Sequence, residues 1–226
     1  MDVAIVIYPG FTALDATGPF EVLSRLPAAR VRFVSSSPGM CPADQPGFGL
    51  VADPLTSMER PGVVVVAGGS TTQRHLDDGE LIGWLRSAHE TSTWTTSVCT
   101  GSLLLGAAGL LRGRRATSHW YELESLRRFG AEPTSRRVVE DGRIITAAGI
   151  SSGIDMALTV CDRLEGAAYA QAVQLGIEYD PQPPHDAGSV EKAPPEVVRS
   201  MWEMMAGSYG PSWAERTAAE TGANSS

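Results

Sequence analysis

The chain has 226 residues, 42% of them hydrophobic and 19% charged, a composition that excludes wholesale disorder and a fibrous repeat. A formal net charge of -8 and a pI near 5.0 argue against a phosphate-neutralising surface, which needs clustered Lys and Arg, so no nucleic-acid partner is expected. No apolar run reaches the roughly 20 residues of a bilayer span and no basic leader precedes the first strand pattern, so we expect no membrane partner and a cytoplasmic location.

In chain order, "DVAIVIY" at 2–8 predicts a strand ended by Pro9-Gly10, and the apolar spacing over 14–26 predicts a helix. "VRFVSSS" at 31–37 is a second strand. The valine run in "GVVVVAGGS" at 62–70 has the pattern of a strand covered on both faces. A helix over 76–90, a strand in "TSTWTTSVC" and a helix in "TGSLLLGAAGLL" follow. "RRATSHWYELESLRRFG" reads as helical up to a stop at Gly130, with Arg112, Arg114 and Arg115 ahead of it as a short solvated basic cluster.

Asp141-Gly142 between two β-rich runs predicts a hairpin. "SSGIDMALTVCDRLEG" opens with Ser152 and Asp155 at capping-box spacing, and a further helix follows to about residue 179. The proline-rich "DPQPPHDAGSVEKAPP" interrupts helix, a short helix is expected over 196–206, and the last dozen residues read as frayed. Strands alternating with helices of this length imply an α/β fold, a doubly wound and mostly parallel sheet with helices on both faces. Its ligand crevice lies at the carboxyl ends of the strands.

Three cysteines without a CxxC or metal spacing exclude a disulfide framework and a zinc site, so each is read alone. Cys161 reads as core and Cys41 as a loop residue. Cys99 sits where strand gives way to helix, and unpaired amides and the helix dipole there favour a reactive thiolate. Thr100 follows with a hydroxyl, and Gly101 fits a close backbone approach. Gly68, Gly69 and Ser70, ending another strand, are candidates to present amides toward developing charge. Asp15, early in the first helix and at the same edge of the sheet, is the candidate acid or base. His119 is the histidine nearest a segment that reaches the crevice, and Trp94, Trp120 and Ile150 are candidate walls of an apolar pocket.

The stretches "YPGFTALDATGPFEVL", "VVVVAGGS", "SVCTGSLLLGAAGLLRGRRATSHW", "GISSGIDMALTV" and "AQAVQLGIEYDPQPPHDAGS" together resemble the ThiJ/PfpI superfamily. Its fold is class I glutamine amidotransferase-like, and within it the chain looks most like the bacterial isonitrile hydratases. The resemblance implies a flavodoxin-like domain over residues 1–190 and a C-terminal extension over 191–226. It further implies a homodimer that uses no cofactor and no metal.

It assigns Cys99 as nucleophile on the isonitrile carbon, Asp15 as proton handler and Thr100 as a positioning group. The cysteine thioimidate then yields an N-substituted formamide. Thr100 stands where the peptidase-like branch has histidine, and the region beyond residue 180 offers only His185, so proteolysis and amidotransfer are set aside. The alternative is a ligand- or redox-sensing module similar to the N-terminal domain of AraC-type transcription regulators. The absence of a helix-turn-helix pair and of a basic recognition helix favours the enzyme.

Overall fold

Val63–Val66 are all fully buried, as a strand covered on both faces must be. The computed structural model describes residues 1–216. The strands are β1 (Asp2–Val6), β2 (Arg30–Ser35), β3 (Gly39–Pro42), β4 (Gly49–Pro54), β5 (Val63–Val66), β6 (Trp94–Val98), β7 (Arg115–Ala116), β8 (Glu132–Pro133), β9 (Val138–Asp141) and β10 (Ile144–Ala147). The helices are α1 (Ala13–Leu23), α2 (Gly79–Thr91), α3 (Gly101–Ala107), α4 (Ser152–Glu165), α5 (Ala167–Gly176) and α6 (Pro195–Tyr209).

Eight strands form one sheet in the order β3-β4-β2-β1-β5-β6-β10-β9, parallel except at its two ends, where β3–β4 and β10–β9 are antiparallel. The architecture is doubly wound and flavodoxin-like. α1, α4 and α5 pack as one group and α2 and α3 as another, flanking the sheet. The chain leaves β1 toward β2 on one side and takes up β5 on the other, so the winding reverses there. The crevice between β1 and β5 at their carboxyl ends is where such a sheet places ligands.

The β9–β10 hairpin turns at Gly142, whose φ of +63° suits glycine. Gly130, at φ +72°, closes the segment before it, but that segment is a 3-10 helix over Trp120–Phe129 and not an α-helix. The β3–β4 hairpin escaped the sequence reading because prolines and glycines break "SPGMCPADQPGFGL", and Cys41 lies buried in β3 and not in a loop. The expected capping box at α4 is absent: the Ser152 hydroxyl donates to the Ala148 carbonyl at 2.6 Å, and Asp155 pairs with Arg137. Arg114, expected as solvated, pairs with Asp141 Oδ1 at 3.0 Å, which ties the basic cluster to the hairpin. α6 runs longer than expected. The expectation of a frayed tail falls chiefly on residues 217–226, outside the described residues. Among the described residues no helix is long and apolar enough to cross a membrane.

Candidate active site

Cys99 occupies the sharp turn between β6 and α3 in the left-handed region, with φ +57°. A side chain there costs about 1–2 kcal/mol, so the surrounding structure must hold it. Its N–H meets the carbonyls of Ala147 and Ala148 at 3.0 Å, and its own carbonyl accepts from the Ser102 and Ser118 hydroxyls, each at 3.1 Å. Gly101 lets the turn close: a Cβ there would lie 2.2 Å from the Val66 carbonyl oxygen. Cys99 is only 5% exposed.

Asp15, in the first turn of α1, is fully buried beside it. The Gly68 N–H donates to Oδ2 at 3.0 Å, Oδ1 has no hydrogen-bond partner, and the Cys99 thiol is near enough to the carboxyl group for each to shift the other's titration. Burial raises the Asp15 pKa from 3.8 to about 8, against the pull of the Gly68 and Cys99 donors; the Asp44 charge adds to the rise. Burial and then the Asp15 charge push the Cys99 thiol well above its ordinary range. Three donors oppose them: the Thr100 N–H, the Ile150 N–H and the Thr100 hydroxyl.

The sequence expectation of a helix-favoured thiolate is therefore corrected. α3 has only seven residues, and burial, the largest cause, sets the direction of the thiol's shift. What holds negative charge on sulfur is the local donor set, with the neighbouring acid.

The amides expected near the sulfur are in part committed elsewhere. Gly68 serves Asp15, and the Gly69 N–H donates to Thr100 Oγ1 at 3.0 Å. The amide of Ile150, whose φ is +37°, favours charge on sulfur instead. A Cβ on Gly68 would stand 2.6 Å from the Thr100 nitrogen, 2.7 Å from its Oγ1 and 2.9 Å from Asp15 Oδ2. Gly68→Ala is accordingly expected to separate Asp15 from Thr100, lowering kcat/KM by about 100-fold while costing about 1–3 kcal/mol of stability. Steady-state kinetics and urea denaturation check both values, and retained kinetics would show that this approach is not needed.

A cavity of about 310 Å³ opens onto Cys99. Thr100, Gly69, Ser70, His119, Trp120 and Ile150 all line it, so the structure brings these sequence candidates together. Gly101 lies just below, in the turn. The His119 Nδ1 accepts from the Tyr121 N–H at 3.3 Å, and burial lowers its pKa to about 4, so the ring is neutral. Trp94 is not at the site: it begins β6, at the opposite edge of the sheet from Cys99.

Sequence reading missed the roof, formed by Met201, Met205 and Tyr209 of α6. Trp202 packs on Tyr121 at 4.7 Å and Trp120 at 5.6 Å, and Tyr121 donates to the Gly210 carbonyl at 2.8 Å, which holds α6 in place. It also missed Tyr8 and Thr72. Both follow a strand end near glycines, the one signal that pointed to the crevice. Among the described residues no group of three or more His, Cys, Asp or Glu is placed to hold a metal ion.

The chain is 41% identical to an isonitrile hydratase of Pseudomonas putida over 88% of its own length and 87% of that protein. A ThiJ/PfpI family protein from Pseudomonas syringae superposes with a TM-score of 0.87 at 38% identity, covering 91% of this chain and 86% of that one. The HTH-type transcriptional regulator CdhR of Pseudomonas aeruginosa is 28% identical over 80% of this chain, but the match covers only 54% of the regulator. The DJ-1/PfpI family profile matches residues 1–163, and the chain belongs to that family.

Proposed function

We propose that the protein hydrates isonitriles to N-substituted formamides. The observation that carries this reading is the buried Cys99–Asp15 pair at the foot of an apolar-roofed cavity, in a chain 41% identical to an isonitrile hydratase. An isonitrile carbon accepts an electron pair from sulfur and must also gain a proton. A thiol and a buried carboxyl group supply both.

Sulfur attacks the terminal carbon as Asp15 takes the thiol proton and returns it to that carbon, giving a thioimidate in which nitrogen is doubly bonded to a carbon bearing hydrogen and Sγ. Water then adds to this carbon, nitrogen gains a proton, and the carbon–sulfur bond breaks. The products are the formamide and the free thiol. No redox step or cofactor enters this balance. Thr100 and the Ile150 amide support the sulfur as it carries charge. We further propose that the enzyme acts as a homodimer, as the family resemblance implies, and in the cytoplasm.

Incubation of the protein with cyclohexyl and p-nitrophenyl isonitrile, following formamide release, tests the activity. Absence of turnover across an isonitrile panel would return the chain to a sensing role. The roof makes a narrower expectation. Met205→Trp fills the cavity beside the substituent and not at sulfur, so KM for cyclohexyl isonitrile should rise about 10-fold or more with kcat nearly kept. An unchanged KM would remove α6 from the binding wall.

A further inference from the structure

Three hydroxyl groups run in file through the interior toward the sulfur. Tyr8 Oη lies 2.8 Å from Thr72 Oγ1, and Thr72 Oγ1 lies 2.7 Å from Thr100 Oγ1, on the residue that directly follows Cys99 and lines the same cavity. Tyr8 and Thr72 are buried, and the Gly69 N–H fixes Thr100 Oγ1 from the side at 3.0 Å.

Each hydroxyl has one proton, so both oxygen–oxygen contacts are filled in three consistent ways. In the first, Thr100 donates to Thr72, Thr72 to Tyr8, and Tyr8 to the Ala67 carbonyl at 2.9 Å. In the second, Tyr8 and Thr100 both donate to Thr72, which donates to the Gly69 carbonyl at 2.8 Å. In the third, Tyr8 donates to Thr72 and Thr72 to Thr100, which leaves the Thr100 proton for the Gly69 carbonyl at 3.3 Å or for sulfur. A neutral thiol is a poor acceptor and makes no demand on that proton. A thiolate favours the third order, because only there is Thr100 free to donate while both contacts are kept, and a hydroxyl that accepts a hydrogen bond is a stronger donor.

We propose that Tyr8 and Thr72 are positioning residues for the nucleophile, turning their hydroxyl protons as a file so that Thr100 donates to the thiolate when it forms. No member of the file ionises; burial and neighbouring negative charge keep the Tyr8 phenol protonated well above its ordinary range. The titratable groups that face the file and the sulfur are Asp15 of α1, Asp44 of the β3–β4 loop, His75, tilted against Tyr8 at 4.5 Å, and His119 and Glu122 across the cavity. Any shift in the thiol must be read with these five unchanged.

The inference rests on the proposed function only for its effect on turnover, because alkylation of the thiol needs no isonitrile. The test is the pH profile of Cys99 carboxamidomethylation by iodoacetamide, followed on the Cys99 peptide by mass spectrometry in the full chain. Tyr8→Phe and Thr72→Val should each shift the profile upward and slow alkylation at pH 7.5 about 3- to 10-fold, and Thr72→Ser should restore the wild-type profile. Tyr8→Phe removes one oxygen only, so it remains decisive if Thr72→Val does not fold. A Tyr8→Phe profile that superposes on the wild type, or a Thr72→Ser shift as large as that of Thr72→Val, would overturn the proposal. Shifted profiles in a protein that turns over no isonitrile would uphold the file and remove the hydratase reading.

Discussion

Cys99→Ala is expected to abolish formamide formation, with kcat/KM falling about 10,000-fold or more, while the folded state loses no more than about 1 kcal/mol. The two effects separate because the sulfur itself carries little of the fold. The turn is held through the backbone, by the Ala147 and Ala148 carbonyls on its N–H and the two serine hydroxyls on its carbonyl, none of which alanine disturbs.

Cys99→Gly sharpens the point. At φ +57° glycine avoids the strain that any Cβ brings, so this variant should be as inactive as Cys99→Ala and about 1 kcal/mol more stable than it. Urea denaturation of the two variants at one pH measures the difference. Equal stability would mean that the turn holds no strain, and residual turnover in either would remove sulfur from the mechanism. The expected pair of results would give the strained conformation a functional reason: it projects the thiol into the cavity at a cost in stability.

The parts of this site legible in the sequence are those fixed by local chain geometry. A valine run followed by Gly68-Gly69, and a β-rich run followed by Cys99 and Gly101, place their residues at strand ends whatever the rest of the chain does. Asp15 was legible for the same reason, since it opens the helix after the first strand.

What stayed hidden depends on distant pairing. The α6 methionines lie in a stretch that reads only as a short helix, and it is the Trp202 contacts that fold that helix over the cavity. The direction of the Cys99 shift was also hidden, because a local rule sees a helix start but not the burial that overrides it. The Ile150 residue was legible as apolar wall, yet it is its amide that favours charge on sulfur, which no side-chain argument reveals.

Asp15→Asn is expected to make the protein more stable and far less active. Asparagine keeps the shape and can still accept from the Gly68 N–H, but it cannot carry the thiol proton to carbon, so kcat/KM should fall about 100- to 10,000-fold. For stability, the folded carboxyl binds its proton more tightly than the unfolded one, with a pKa of about 8 against 3.8. Between those values the unfolded state has released a proton that the folded state retains, so this group's contribution declines as pH rises from about 4 to about 8. By pH 7 that loss reaches up to about 4 kcal/mol.

Asparagine has no such proton, so the stability gap between Asp15→Asn and wild type should be small near pH 4.5 and widen steadily toward pH 8. Urea denaturation at several pH values measures it, and a gap that is constant or narrows would show that the buried carboxyl does not hold its proton. Wild-type kcat/KM should climb over the same interval, levelling above about pH 8, because only the pair that has lost its first proton can place negative charge on sulfur while leaving an acid beside it. Activity thus rises where this group's contribution to stability falls. One buried carboxyl group links the two, and a site that needs an uncompensated acid in its interior has to tolerate that opposition.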